Sequence, residues 1–257
     1  MDSVVIKDNE RIDDLYVNDL KIIQNPKGFC FGIDAILLSN FARVKKDATV
    51  VDLGTGTGVI PLVIAGKSRA AHVHGLEIQE EVADMAQRSV ALNGLEGRVT
   101  IHNLDMNQVL SIFPKEVADV VTSNPPYMPV GKALQNPGSK KAISRHEITV
   151  TLDDVVRTAK ELLKIHGQFF MIHRPTRLVD IITTCRKYKL EPKRIQFVHP
   201  KEGKEPTMVM VHCVRGGKPE VRVMEPLFVY QDNGQLTDQI QALYDQETIE
   251  PKAGGGN

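Results

Sequence analysis

The sequence predicts an α/β fold: a doubly wound mixed sheet of seven strands, with the last strand antiparallel and a short N-terminal extension. Three observations lead there. From Thr49 onward, short apolar and β-branched runs alternate with stretches of helical length, the pattern of parallel βαβ units. The first of these runs ends in a glycine-rich turn, Gly54-Thr55-Gly56-Thr57-Gly58, which opens directly into an apolar stretch. No helix fits between the last two runs, which are separated by the segment Pro200 to Pro206. Those two strands therefore pair as an antiparallel hairpin at one edge.

Taken in order, the strand-like runs are 49–53, 72–78, 98–103, 117–123, 167–173, 194–199 and 207–214, and helix-like runs fall at 58–66, 79–93, 152–165 and 175–188. Ahead of them, the alternation of Leu15, Val17, Leu20 and Ile22 predicts a hairpin with Asn18-Asp19 at its turn. The stretch GFCFGIDAILLSNFA reads as a loop entering a helix, with Asp34 in its first turns and Ile36, Leu37 and Phe41 on one side. After the last run, VRVMEPLFVY predicts two short strands around Glu225-Pro226, followed by a polar helix near 235–247. The expected organisation is an extension over 1–44, the main domain over 45–247 and a disordered tail over 248–257.

A length of 257 residues suits one α/β domain with small additions. Apolar residues make up 42% and charged residues 25%, ordinary for a globular chain. A formal net charge of zero leaves any nucleic-acid surface to local patches. Cys30, Cys185 and Cys213 form no CxxC or Cys/His cluster, so reduced thiols are expected, with no disulfide framework and no metal site. The charged N-terminus lacks a signal-peptide core, and the longest apolar run, Gly58 to Gly66, is too short to span a bilayer. A cytoplasmic monomer without membrane contact is expected.

The glycine turn has the spacing GxGxG, preceded two residues earlier by Asp52. Glycines let the chain turn tightly and let a ligand lie against the backbone. Glu77, at the end of the second strand, is positioned to accept both ribose hydroxyls of a bound nucleoside. Asp105, after the third strand, can accept from an adenine amine, and Asp52 faces the opposite end of such a ligand. Gly54, Thr55, Gly56, Gly58, Ile78 and Met106 complete the candidate cofactor wall. Each acid also has a plain structural reading: Asp52 closing a turn, Glu77 and Asp105 capping the helices that follow. A nicotinamide cofactor, the competing ligand, requires its third glycine one residue later.

The fourth strand runs into Asn124-Pro125-Pro126-Tyr127, at the reversal of strand order where such sheets bind ligands. The Asn124 side-chain oxygen and the Pro125 carbonyl can each accept one hydrogen of an aromatic amine. That draws the nitrogen toward tetrahedral geometry and aims its lone pair at an incoming methyl group. The two prolines fix the backbone, and Tyr127 offers a face on which an extruded base stacks. The bland alternative is that Asn-Pro-Pro merely marks a loop.

With both motifs in view, the chain resembles the amino-methyltransferases of the class I, Rossmann-like superfamily, whose NPPY members modify adenine N6, guanine N2 or a protein glutamine amide. Over about residues 10–245 it is most similar to the bacterial family that makes N6-methyladenosine at position 37 of valine tRNA. GFCFGIDAILLSNFA, SRHE at 144–147 and GKEPTMVMV carry that closer likeness. Ile33 departs from the FGTDA expected there, while Asp34 is kept. The resemblance implies S-adenosylmethionine as cofactor, tRNA as partner, Asn124, Pro125, Pro126 and Tyr127 as the catalytic set, Asn124 beside the methyl donor, and Phe31 with Phe29 closing the pocket.

The loop between Tyr127 and the next helix carries Lys132, Lys140, Lys141 and Arg145, with no acid before Glu147. Arg174, after the fifth strand, is a further candidate for the RNA backbone. The run from Arg186 to Lys204 holds seven Lys/Arg, which reads either as a phosphate surface or as an ordinary solvated face. His146 and His173 are expected to order their surroundings, not to act as bases. A protein-glutamine methyltransferase is disfavoured by the short segment ahead of the glycine loop. A nicotinamide-dependent oxidoreductase is the alternative from another class.

Overall fold

The structure is a computed structural model that describes residues 4–28, 30–126 and 150–245. The chain opens with an antiparallel pair, β1 (Arg11–Asp14) and β2 (Lys21–Gln24). Asn18 and Asp19 turn it with φ of 45° and 56°, a region these residue types tolerate. Leu15 and Val17 lie in the connection and not in a strand, yet both are fully buried. A lone two-stranded hairpin is marginal in water. This one is closed against helix α3 (Glu80–Leu92). Asn93 accepts the Lys21 N–H at 2.8 Å and donates to the Lys21 carbonyl at 2.7 Å, while Ser89 Oγ accepts the Ile23 N–H at 2.9 Å. Arg88 of α3 also grips Glu10 through both carboxylate oxygens, at 2.7 and 2.6 Å, and its guanidinium holds that acid below its ordinary range.

Helix α1 (Ile33–Phe41) follows. Ile36, Leu37 and Phe41 are buried as expected, but so are Ala35, Leu38 and Ser39, so the helix is enclosed on more than one side. The main sheet then forms from β3 (Thr49–Leu53), β4 (His72–Glu77), β5 (Val99–Asn103), β6 (Ala118–Ser123), β7 (Leu163–His173), β8 (Leu190–His199) and β9 (Met208–Arg215). Besides α3, the helices are α2 (Val59–Lys67), α4 (Leu152–Leu162), α5 (Leu178–Lys187) and α6 (Asp238–Asp245). The strand order is β8-β9-β7-β6-β3-β4-β5, and β9 runs antiparallel to both its neighbours. Two short strands, β10 (Arg222–Val223) and β11 (Leu227–Phe228), pair parallel along β8 and make the sheet nine-stranded.

Two boundaries differ from expectation. The helix expected over 152–165 ends at Leu162, and Leu163–Ile165 already belong to β7, with Leu163 paired to Ala118. β8 begins at Leu190 and runs through Pro192, a residue that reads as a strand breaker. Its outer neighbour β10 first pairs at Arg194, so the missing N–H of Pro192 leaves no ladder bond unmade.

Both faces of the sheet are covered. Phe169 and Phe170, consecutive on β7, point to opposite faces; Phe170 packs in the cluster with Ile36, Leu62 and Val63, Phe169 in that with Leu53, Val156 and Cys185. Cys185 and Cys213 are buried free thiols. Among the described residues, no helix is long and apolar enough to cross a membrane.

Candidate active site

β3 pairs with β4 on one side and β6 on the other, so the strand order reverses there and a crevice opens at the carboxyl ends. The loop leaving β3 carries Gly54, Gly56 and Gly58 at φ of 72°, 57° and 90°, a region costly to any residue with a Cβ. Gly58 also packs closely, since a Cβ there would lie 3.2 Å from that of Ala86. At Gly56 nothing stands within 4 Å of the Cβ position, so the loop presents open backbone to a ligand.

Neighbouring strands hold the loop. The Gly54 and Thr55 N–H groups donate to the Leu76 carbonyl at 3.0 and 2.9 Å. Glu77, 5% exposed, accepts the Gly56 N–H on Oε2 at 3.0 Å and the Gln79 N–H on Oε1 at 2.9 Å. It both spans the loop and closes the start of α3, and a carboxylate keeps lone pairs for further donors. Ile78 next to it is 41% exposed, and Met106 lies with its methyl 3.8 Å from the Cβ position of Gly54. Asp105 caps the short helical turn Met106–Ser111 by accepting the Asn107 N–H on Oδ1 at 2.9 Å. Phe31 packs half-buried against the core and donates its N–H to Gln24 Oε1 at 2.9 Å. An open glycine backbone, an acid at each of the next two strand ends and an exposed apolar side chain fit a nucleoside-bearing cofactor.

Asp52 is wholly buried beneath this loop. The Thr122 hydroxyl of β6 donates to its Oδ1 at 2.6 Å, and no described residue bonds its Oδ2. Burial pushes the carboxyl up to about 6; the Thr122 hydroxyl opposes that, and the charge of Glu77 adds to it. One residue on, Ser123 Oγ donates to the Leu53 carbonyl at 3.0 Å. These two links fasten the end of β6 to the end of β3, setting Asn124 beside the glycine loop.

Asn124 and Pro125 are half-buried and Pro126 is exposed. The Asn124 amide nitrogen donates to Asp34 Oδ2 at 3.0 Å. Asp34 belongs to α1 and was absent from the sequence-derived candidate set. Its only signal in the sequence is its place inside the GFCFGIDAILLSNFA stretch that carries the family likeness. Tyr127, Lys132, Lys140, Lys141, Arg145, His146 and Phe29 lie outside the described residues.

Arg174 is exposed at the end of β7, the strand beside β6. Its N–H donates to Nδ1 of His173 at 2.8 Å. Burial above all, with the nearby Arg177 charge, pushes His173 down to about 4, so its imidazole is neutral near pH 7. The basic run is divided by the fold. Arg186 and Lys187 sit at the far end of the sheet, bonded to Glu191 and Asp153, and Arg194 stacks inward over Phe41, 5.0 Å from the ring centroid. Lys201 and Lys204 follow the carboxyl end of β8, on the side of the crevice.

The chain belongs to the methyltransferase small domain family, whose model matches residues 31–182. It is an S-adenosylmethionine-dependent methyltransferase. Curated relatives described as tRNA1(Val) (adenine(37)-N6)-methyltransferases include one from Bacteroides thetaiotaomicron, 30% identical over 182 residues, covering 70% of this chain and 74% of the relative. Another, from Pedobacter heparinus, is 27% identical over 210 residues, covering 82% of this chain and 87% of the relative. Among solved structures, a predicted O-methyltransferase from Agrobacterium tumefaciens matches with TM-score 0.69 and 23% identity, covering 84% of this chain and 97% of that one. A geranyl diphosphate C-methyltransferase from Streptomyces coelicolor, solved with S-adenosyl-L-homocysteine, matches with TM-score 0.52 and 15% identity, covering 71% of this chain and 79% of that one.

Proposed function

We propose that this methyltransferase acts on the exocyclic N6 amine of an adenine in tRNA, adenosine 37 of valine tRNA being the position named for its relatives. The observation that carries this reading is Asn124-Pro125-Pro126 at the carboxyl end of β6, tied through Ser123 and Thr122 to the β3 end that begins the glycine loop. Gly54, Thr55, Gly56 and Gly58 form the backbone cradle for S-adenosylmethionine. Glu77 takes the ribose hydroxyls, Asp105 the adenine amine, and Ile78 and Met106 flank the ring. Bound there, the cofactor supplies an electrophilic methyl on a sulfonium.

The protein's part is orientation. Asn124 Oδ1 and the Pro125 carbonyl accept the two hydrogens of the target amine, turning its lone pair toward the methyl carbon. The sulfonium would give up its methyl with the S–C electrons staying on sulfur, and the amine nitrogen held by Asn124 and Pro125 would then lose its extra proton to solvent. No strong base is needed for that release. Tyr127 stacks on the extruded base. Lys132, Lys140, Lys141, Arg145 and Arg174 supply phosphate contacts, which makes affinity fall with salt.

The test is incubation with methyl-labelled S-adenosylmethionine and total tRNA from cells lacking the modification, followed by mass spectrometry of the nucleosides. Label recovered as N6-methyladenosine is expected. Label in protein, or in a nucleoside other than adenosine, overturns the reading.

A further inference from the structure

We propose that Asp34 is a positioning residue for methyl transfer: its carboxylate fixes which end of the Asn124 amide faces the acceptor amine. The inference rests on the reading of Asn124 as the group that accepts an amine hydrogen.

An asparagine side chain has two nearly isosteric ends, one an acceptor and the other a donor. Only the oxygen end can accept a hydrogen from an amine; the NH2 end turned toward the substrate would meet donor with donor. Something must therefore choose between two orientations that packing alone barely distinguishes. The Asn124 nitrogen lies 3.0 Å from Asp34 Oδ2. An ionised carboxylate only accepts hydrogen bonds, so this pairing forces the nitrogen toward Asp34 and leaves Oδ1 on the other side. The charge does a second thing. Accepting a hydrogen bond from the NH2 end polarises the amide and makes its oxygen a better acceptor, as in any chain of linked hydrogen bonds.

Asp34 is itself held. Its Oδ1 accepts the N–H of Ala35 at 3.0 Å within the first turn of α1. Gly32 leaves room for it, since a Cβ there would stand 2.8 Å from that oxygen. The helix that carries it is enclosed, with Ala35, Ile36, Leu37 and Leu38 all buried. The carboxylate thus sits on a rigid element, as a group that sets another group's orientation must.

The experiment uses the full chain, with methyl transfer to unmodified tRNA as assay and calorimetry with S-adenosylhomocysteine as the binding control. Asp34→Ala should lower kcat by about ten- to hundredfold, with cofactor affinity and thermal midpoint near wild type. Asp34→Asn, which can pair with either end of the amide, should lower it only about two- to tenfold. The decisive variant exchanges the pair. Asn124→Asp alone sets two carboxylates against each other and should be close to inactive. Asp34→Asn combined with Asn124→Asp restores one donor facing one acceptor, and should recover at least about tenfold over Asn124→Asp alone. A third readout needs no turnover. The Asn124 side-chain amide pair in a 15N-correlation spectrum, identified by its loss in Asn124→Ala, should shift in Asp34→Asn.

The inference is overturned if Asp34→Ala keeps wild-type kcat, if the exchanged pair is no better than Asn124→Asp, or if Asp34→Ala loses folding and cofactor binding along with activity. Asn124→Ala made beside these separates the two readings. Wild-type turnover in that variant removes Asn124 from the chemistry altogether. An inactive Asn124→Ala with an indifferent Asp34→Ala removes only the role given to Asp34.

Discussion

The two sides of the crevice are built in different ways. On the side proposed to hold the cofactor, the carboxylates are already engaged by their near neighbours: Glu77 with Gln79 two positions on and Gly56 across the adjacent strand, Asp105 with Asn107. On the side proposed to receive the acceptor amine, Asn124 is joined to Asp34, ninety positions away on α1. The first wall follows from a run of turns at successive strand ends. The second is assembled only when α1 has docked. A loop held by local bonds keeps its shape when one bond is lost, whereas a side chain aimed with the help of a distant partner turns more freely when that partner goes.

Five substitutions put this contrast to the test. Asn124→Ala should lower turnover roughly 100- to 1,000-fold, the scale of losing one transition-state hydrogen bond. Its S-adenosylhomocysteine affinity, followed by calorimetry, should stay within about threefold of wild type, because the two walls are built separately. Equal loss of binding would erase the distinction.

Asp52→Asn probes the clasp between them. An acid raised from its ordinary 3.8 to about 6 gives the fold its full stability below pH 4, and that stability is lost as pH rises through about 6. Relative to wild type, the asparagine variant should therefore gain stability between about pH 4 and 6, by up to roughly 3 kcal/mol in urea titrations. A difference that stays flat with pH would mean that Asp52 does not ionise in that window.

Glu77→Gln keeps an acceptor for the Gly56 N–H but loses the charge. Cofactor affinity should fall about ten- to hundredfold, as for a hydrogen bond to a charged group, with kcat at saturating cofactor little changed. A collapse in kcat at saturation would place Glu77 in the acceptor wall as well. The smallest effect is expected within the loop itself. Gly56→Ala should lower stability by about 1 kcal/mol through its left-handed φ, with a modest rise in cofactor Kd. Gly58→Ala adds a 3.2 Å approach to Ala86 and should unfold at a lower urea concentration than Gly56→Ala.

The same contrast explains what could be read from the residues alone. The strand at 49–53, its glycine turn and Glu77 at the end of the next strand are local patterns, and each appears where alternation and spacing put it. Leu163–Ile165 look helical because they continue α4 without a break, and Ile165 is 57% exposed. The pairing of Leu163 with Ala118 of β6, followed by a register shift before Val120 pairs with Gln168, is what draws them into the strand. The early start of β8 was hidden by Pro192, whose tolerance depends on how far β10 extends. Burial of Arg194 against Phe41 could not be separated from its solvated neighbours by counting charges, because sheet order decides which end of a basic run faces the crevice. The partnership of Asp34 with Asn124 has no periodicity and no spacing rule; it exists only in three dimensions.

Gly32 carries the least expected demand. Its φ of −110° and ψ of 177° are available to most residues, so backbone preference alone would allow substitution there. Yet any side chain would enter the space of the Asp34 carboxylate. A comprehensive substitution survey should find position 32 permissive for folding and intolerant for turnover, a signature usually reserved for residues that touch the substrate.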